Sequence, residues 1–326
     1  MATVSRAMGD HPDVSGTTRE RVRAIAAELG YRPSVAARAL RTGGFHAISA
    51  VVPDAGWGWW EPVIRAAHTA ASERGYHLLV HPVDGEGGLA ATVEGLASIP
   101  TEGVIVISVP DQEAVRRACD RIPLPAVAID DTSTATRFPT VSAANRAGAR
   151  TVVEHLIATG RRSIALVRGR LDADASVWGD GLFLEERTLG YRDALEAADI
   201  EVDERLIVDI ADPFDETRAS FPEVDALLSG GSPIDAIFCV ADLMAAPVLR
   251  SLRASGLAVP ADVAVAGFDD ERAALLVDPQ LTTVRQPYEA MGRTAVEMLL
   301  QTISGEPVPE DRVEIAGELV VRASTS

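Results

Sequence analysis

A chain of 326 residues, 47% hydrophobic and 24% charged, is long enough for two or three folded domains and has the balance of a globular protein. It holds no apolar run of the ~18 residues that a membrane-spanning helix needs, and residues 1–16 lack the apolar stretch of a secretory leader, so a cytoplasmic protein is expected. The formal charge of −18 argues against nucleic acid until it is divided along the chain: residues 1–46 carry seven Arg against four acids, net +3, and the remainder carries net −21. A basic head on an acidic body suits a protein that offers only its head to phosphates. Every cation is Arg; the chain has no Lys. Cys119 and Cys239 stand far apart in apolar or helical surroundings and read as reduced core thiols. No Cys/His cluster has zinc spacing, so no metal is expected. The six His are scattered, and neither a glycine-rich dinucleotide fingerprint nor a GxSxG elbow is found. An enzyme and a cofactor are therefore not expected.

In chain order, ATVSRAM forms most of a short helix and Gly9 to Pro12 a turn. A second helix starts with Ser15 as N-cap; Val22, Ile25, Ala26 and Leu29 recur at helical spacing as its apolar face, and Gly30 ends it. Arg32 to Gly43, RPSVAARALRTG, is Ala-rich and opens with Pro33, a good first-turn residue; it reads as a helical hinge rather than a Gly/Ser linker. The body then alternates. Strands are expected at HAISAVVP, YHLLVHP, GVIVISV, PAVAID, SIALVRG, RLIVDI, AIFCV and VAVAGF. Helices are expected at 61–74, 88–98, 112–121, 146–158, 185–198, near 221–229 and at 243–255. Such alternation gives parallel sheets with helices on both faces, whose ligands bind beyond the carboxyl ends of the strands.

TVSRAM, VSGTTRERVRAIAAELGYRPS and AARALRTG, taken together, resemble the DNA-binding head and hinge of the lac-repressor (LacI/GalR) family of bacterial transcription regulators. The body carries the resemblance on, through VVPD, NRAGARTVVEHLIATGRRSIALVRG, ERTLGYRDAL, DAIFCVADLMA, LRASGLAVPADVAVAGFDD, LTTVRQP and LVVRAS, in order and over nearly the whole chain. The resemblance implies an α/β protein of two doubly wound, periplasmic-binding-protein-like lobes behind a small all-α head. By it, residues 1–31 form a partial helix-turn-helix and 32–46 the hinge; 47–160 plus 286–316 form the N-terminal lobe and 161–285 plus 317–326 the C-terminal lobe. Implied partners are pseudo-palindromic operator DNA, a small effector between the lobes, with a carbohydrate as the leading class, and a second copy of the chain.

By the same resemblance ATVSRAM belongs to a recognition helix in the major groove. Thr3, Ser5 and Arg6 match positions at backbone or base edges, and Ser15, Thr18 and Tyr31 match phosphate contacts that fix register. Ala37 and Leu40 lie in the hinge, where Leu40 matches the leucine wedged into a minor-groove step. Family heads begin with an extra helix and turn, whereas here Met1 and Ala2 fall where base-reading side chains begin. Two alternatives follow: a start codon assigned too late, or a truncated helix-turn-helix with impaired DNA binding, which would leave a sensor or solute-binding protein of the same fold.

The expected effector contacts are Trp59, Trp60, Arg187, Asp242, Asp269 and Gln286. A Trp stacks on a sugar ring, although one of the two is expected to fill the core. By the resemblance, Arg187 in ERTLGY matches an arginine that binds effector hydroxyls or a carboxylate bidentately; otherwise it pairs with Glu185 or Glu186 on the helix surface. Asp242 and Asp269 follow strands and accept from hydroxyls, or cap helices. Gln286 meets the effector or caps the return crossing. Ala241 and Ala144 replace an Asn and an Asp common in sugar-responsive members, and Arg170–Leu184, with Trp178, is expected to lie over the cleft.

Overall fold

The computed structural model describes residues 4, 6, 7, 13–30, 44–53, 57–83, 85–108, 117, 119–121, 124–130, 138–170, 182–211, 213, 218–231, 233–308 and 311–326. In the head, α1 (Gly16–Glu28) is capped by Ser15, whose Oγ accepts from the Thr18 amide and shares a 2.9 Å hydrogen bond with the Thr18 hydroxyl. The expected apolar face of this helix is only partly covered. Ala26 is buried with Ala7 and Val14, but Ile25 and Leu29 are 46% and 76% exposed, because the described head has too few apolar side chains to cover them.

Two parallel sheets make up the body. The first has the order β11-β5-β4-β3-β1-β2, from β1 (Ala47–Pro53), β2 (His77–Val83), β3 (Val104–Ile107), β4 (Ala126–Ile129), β5 (Thr140–Ala143) and β11 (Arg312–Ile315). The second has the order β7-β6-β8-β9, from β6 (Ile164–Gly169), β7 (Ile207–Ile210), β8 (Ala236–Cys239) and β9 (Ala264–Ala266). The inner strands β1, β3, β4 and β8 are buried at every residue, as continuous Val/Ile/Ala runs predict for a sheet covered on both faces. Beside the first sheet lie α2 (Trp57–Glu73), α3 (Gly85–Gly95) and α9 (Tyr288–Ser304). The second core is built with α4 (Asn145–Ala158), α5 (Leu182–Ala197), α6 (Pro222–Ser229), α7 (Ala245–Ala254) and the short α8 (Arg272–Leu276).

The chain crosses between the lobes three times. It leaves β5 for α4, returns from β10 (Thr283–Arg285) to α9, and passes from β11 to β12 (Glu318–Val320), which pairs antiparallel with β10. At the third crossing a Cβ on Gly317 would meet the Arg285 carbonyl at 2.8 Å, so glycine permits the two crossing segments to lie together. The division at residue 160 puts α4 in the first lobe, but its buried face, Ala149, Val152, Val153 and Leu156, belongs to the second core. The apolar stripe of the helix packs on the lobe that follows it, and a boundary read from a loop misses this. Beyond the expected elements the structure adds β5, α8, β10, β11, β12 and the 17-residue α9. Both cysteines are buried and unpaired; burial raises the Cys119 thiol to about 11 and Cys239 further. His155 is structural, its Nε2 sharing a hydrogen bond of 2.8 Å with the Thr325 hydroxyl.

Candidate functional site

Where the strands of both sheets end, a polar cluster is sealed between the lobes. Its centre is Arg187 on α5, 2% exposed. Arg187 Nε donates to Asn145 Oδ1 (2.9 Å), Nη1 donates to the Val240 carbonyl (2.6 Å), and Nη2 pairs with Asp269 Oδ1 (3.1 Å). The guanidinium lies 3.7 Å from the Phe268 ring centroid and 5.0 Å from that of Phe183. Phe268 can approach because position 148 of α4 is glycine: a Cβ there would meet the ring at 2.9 Å. The expected surface pairing of Arg187 with Glu185 or Glu186 is thus replaced by a buried fork, the arrangement for which arginine's planar geometry is suited.

Asp269 follows β9 at φ 115, a left-handed conformation that a non-glycine residue rarely adopts. Its Oδ1 also accepts from Gln286 Nε2 at 2.6 Å, and its backbone carbonyl accepts from the Tyr288 hydroxyl at 3.1 Å. From the first lobe come Ser108, after β3 at φ 41, and Asp130, after β4 at φ 61. The Ser108 hydroxyl donates to Asp130 Oδ2 at 3.2 Å. Burial pushes the Asp130 carboxyl up to about 6, against the opposing pull of Arg187. Asp269 is also raised by burial, again with Arg187 opposing. Three strand-end residues in strained conformations around one buried cation mark a site held in place by its surroundings.

Two atoms in this cluster lack what buried polar atoms ordinarily have. Asp130 Oδ1 and Gln286 Oε1 are shut off from solvent and have no hydrogen-bond partner among the described residues. Both are acceptors.

Of the residues singled out from sequence, Arg187, Asp269 and Gln286 meet here. Asp242 is engaged apart from Arg187: it is fully buried, its Oδ1 accepts from the Thr283 hydroxyl (2.7 Å) and its Oδ2 from the Glu271 amide (2.9 Å). Its carboxylate ties the end of β8 to the start of α8 and to β10, the capping alternative among its two expected roles. Its pKa is raised by burial and next by Asp269. Trp60 is 1% exposed within the first core, so it takes the core-filling alternative; the Trp59 side chain lies outside the described residues. Most of Arg170–Leu184, including Trp178, lies outside them too, as do Thr3, Ser5, Tyr31, Ala37 and Leu40. Arg6 is exposed on a helical segment, and Ser15 and Thr18 are exposed at the start of α1. Sequence reasoning missed Ser108 and Asp130, whose signal was position alone, each just past a buried strand, and the pairing of Asn145 with Arg187. A separate groove of about 1360 Å³ runs between α2 and the start of α9; its lining includes Glu61, Arg65, Glu289 and Arg293, and it shares Gln286 and Tyr288 with the cluster. No helix among the described residues is long and apolar enough to cross a membrane, and no metal-binding group of His, Cys, Asp and Glu is found among them.

Residues 1–34 match the lacI family of bacterial regulatory proteins, and residues 153–325 match the periplasmic binding protein-like domain. The HTH-type transcriptional regulator CelR of Thermobifida fusca is 34% identical over 335 aligned positions, covering 99% of this chain and 94% of that protein. The solved CelR–cellobiose complex superposes with a TM-score of 0.76 at 31% identity, over 99% of this chain and 95% of that one. The lac repressor dimer bound to operator and the anti-inducer ONPF superposes with a TM-score of 0.83 at 26% identity, over 99% and 94%. These relatives are transcription regulators rather than enzymes. With a helix-turn-helix match at its start, a two-lobed body and full-length similarity to such regulators, this chain belongs to the lacI family of bacterial regulatory proteins.

Proposed function

We propose that this chain is a cytoplasmic, non-enzymatic transcription repressor that binds a pseudo-palindromic operator as a homodimer and releases or tightens it when a small carbohydrate enters the cleft between its lobes. The observation that supports the sensor half is the pair of buried acceptors without partners, Asp130 Oδ1 and Gln286 Oε1, beside the Arg187–Asp269 pair. Buried polar atoms left open in an otherwise satisfied cluster call for a ligand that completes them. Bonds at the crossings supply the coupling: Arg187 of the second lobe touches Asn145 at the first crossing, and Asp269 touches Gln286 at the second. A ligand seated among them changes the relative stability of lobe arrangements only by its differential affinity for them. The head reads DNA through the lacI-family match, with Arg6, Ser15 and Thr18 as candidate contacts beside Thr3, Ser5, Tyr31, Ala37 and Leu40.

A gel shift on promoter fragments tests the reading. Operator affinity should fall steeply as salt rises, because arginine–phosphate contacts release counterions, and cellobiose, the ligand of the CelR complex, is the first effector to add. A band whose strength ignores salt counts against operator binding.

A further inference from the structure

We propose that Glu102 is a positioning residue for operator binding: its carboxylate fixes the point at which the hinge enters the body, and the DNA-bound arrangement of the heads depends on that fixed point. This rests on the operator reading above and names the residue through which the heads are placed.

Three neighbouring strands bring the parts together. β1, β2 and β3 run parallel, with Ala47 opposite His77 and Ser49 opposite Val104, so the residues just before them, His46, Tyr76 and Glu102, gather at one edge of the first sheet. That edge is the amino end of the strands. The effector cluster lies beyond their carboxyl ends, about 20 Å away along the seven residues of β1.

At this edge the chain arriving from residues 32–43 is held by one side chain. Glu102 Oε1 accepts from the His46 amide at 2.6 Å, and Oε2 accepts from the Tyr76 hydroxyl at 3.0 Å. The Glu102 amide donates to the Ala47 carbonyl and the His77 amide to the His46 carbonyl, each at 2.8 Å. The His46 ring lies beside Tyr76, with centroids 5.3 Å apart. His46 stands at φ 51, a left-handed conformation that a non-glycine residue keeps only where its surroundings hold it. Gly44 completes the contact. The three atoms that a Cβ there would meet first all belong to the Glu102 carboxyl group, the nearest at 2.5 Å, and its φ lies outside the left-handed range. Glycine is therefore needed at 44 for the carboxylate, not for the backbone.

A dimer gains from its second head only what the tether allows, because a tether with a loose origin lowers the effective concentration of the head at its half-site. Ordering that origin before binding removes a cost that would otherwise fall on binding. Loss of the carboxylate should thus lower specific affinity while leaving every phosphate contact in place.

Gel shifts of the full-length chain at several salt concentrations, on a promoter fragment that the parent binds, test this. Glu102→Ala should weaken specific binding by about tenfold or more, whereas Glu102→Gln should keep most of it, since its amide oxygen still accepts from His46. The slope of log affinity against log salt should not change, because no cation is lost, and the melting temperature should stay within about 5 °C of the parent. Gly44→Ala should weaken binding comparably in the parent and cost little in the Glu102→Ala background, where the carboxylate is gone. A Glu102→Ala protein that binds as tightly as the parent overturns the proposal, as does one whose affinity falls only together with its melting transition. An equal cost of Gly44→Ala in both backgrounds also overturns it. A parent that binds no promoter fragment overturns operator binding itself, and this role with it.

Discussion

Arg187 shows how much rests on one side chain. Its three nitrogens bond Asn145, Val240 and Asp269, so that one residue of α5 holds the start of α4 and the ends of β8 and β9 in register. Arg187→Met would leave Asp269 buried beside Asp130 without its cation. Removing one partner of a buried pair costs about 3–5 kcal/mol, and Arg187→Lys should recover little because an ammonium cannot span the fork; chemical denaturation of the three proteins checks both. Asp130 works in the opposite sense. Its pKa is raised to about 6 from 3.8 by burial, so the folded state holds its proton more tightly than the unfolded chain. The resulting penalty is absent below about pH 4, grows between there and pH 6, and is complete at neutral pH, on the order of 2–3 kcal/mol. Ligand-free Asp130→Asn should therefore melt higher than the parent at pH 7, and the gap should close as the pH falls toward 4. An equal gap at both pH values would mean that Asp130 is not desolvated as described.

Elements meet here at glycines. Position 190 of α5 lies against α4 so closely that a Cβ would collide with the Arg146 carbonyl, and position 292 of α9 lies in the same way against the Val63 carbonyl of α2. These are backbone contacts, which cannot rotate aside. Gly190→Ala and Gly292→Ala should each destabilise the chain by about 1–3 kcal/mol through overpacking, despite the better helix propensity of alanine. Thermal melts of the two variants decide this; unchanged melting would mean that the helices separate at little cost. The two contacts have different consequences, since α5 carries Arg187 and α9 begins at Tyr288, two residues after Gln286. Gly190→Ala should weaken ligand binding beyond its effect on stability by shifting Arg187.

For the molecule as a whole, the uneven charge and the family membership frame the expectation. A head of net +3 on a body of net −21 favours DNA contact through residues 1–46 over contact through the acidic body. Arg6→Ala should lower operator affinity and reduce the slope of log affinity against log salt by about one if Arg6 neutralises a phosphate, whereas Leu40→Ala should reduce operator bending with little change in that slope. A gel-mobility series at several salt concentrations separates the two roles.

How much of this was legible beforehand differs by level. The strand–helix alternation, the buried parallel strands, Asp269 and Gln286 could be read from the chain, because apolar runs and strand-end positions are local signals; Arg187, inside a helix, was legible only through the family resemblance. Asp242 looked equivalent to Asp269, each an Asp just past a buried strand. Only folding decided between them, by bringing Thr283 and the Glu271 amide onto both oxygens of Asp242. Trp60 entered the core for a similar reason: which face of α2 meets the first sheet depends on the packing of α9, far along the chain. Ser108 and Asp130 carried no motif, since a carboxyl's ionisation and its lack of a partner arise from neighbours that come from other segments. The sequence by itself therefore determined the family, the two-lobed plan and the basic head. The tertiary structure decided which acids are ties and which are open, because burial and hydrogen-bond satisfaction are properties of long-range contacts.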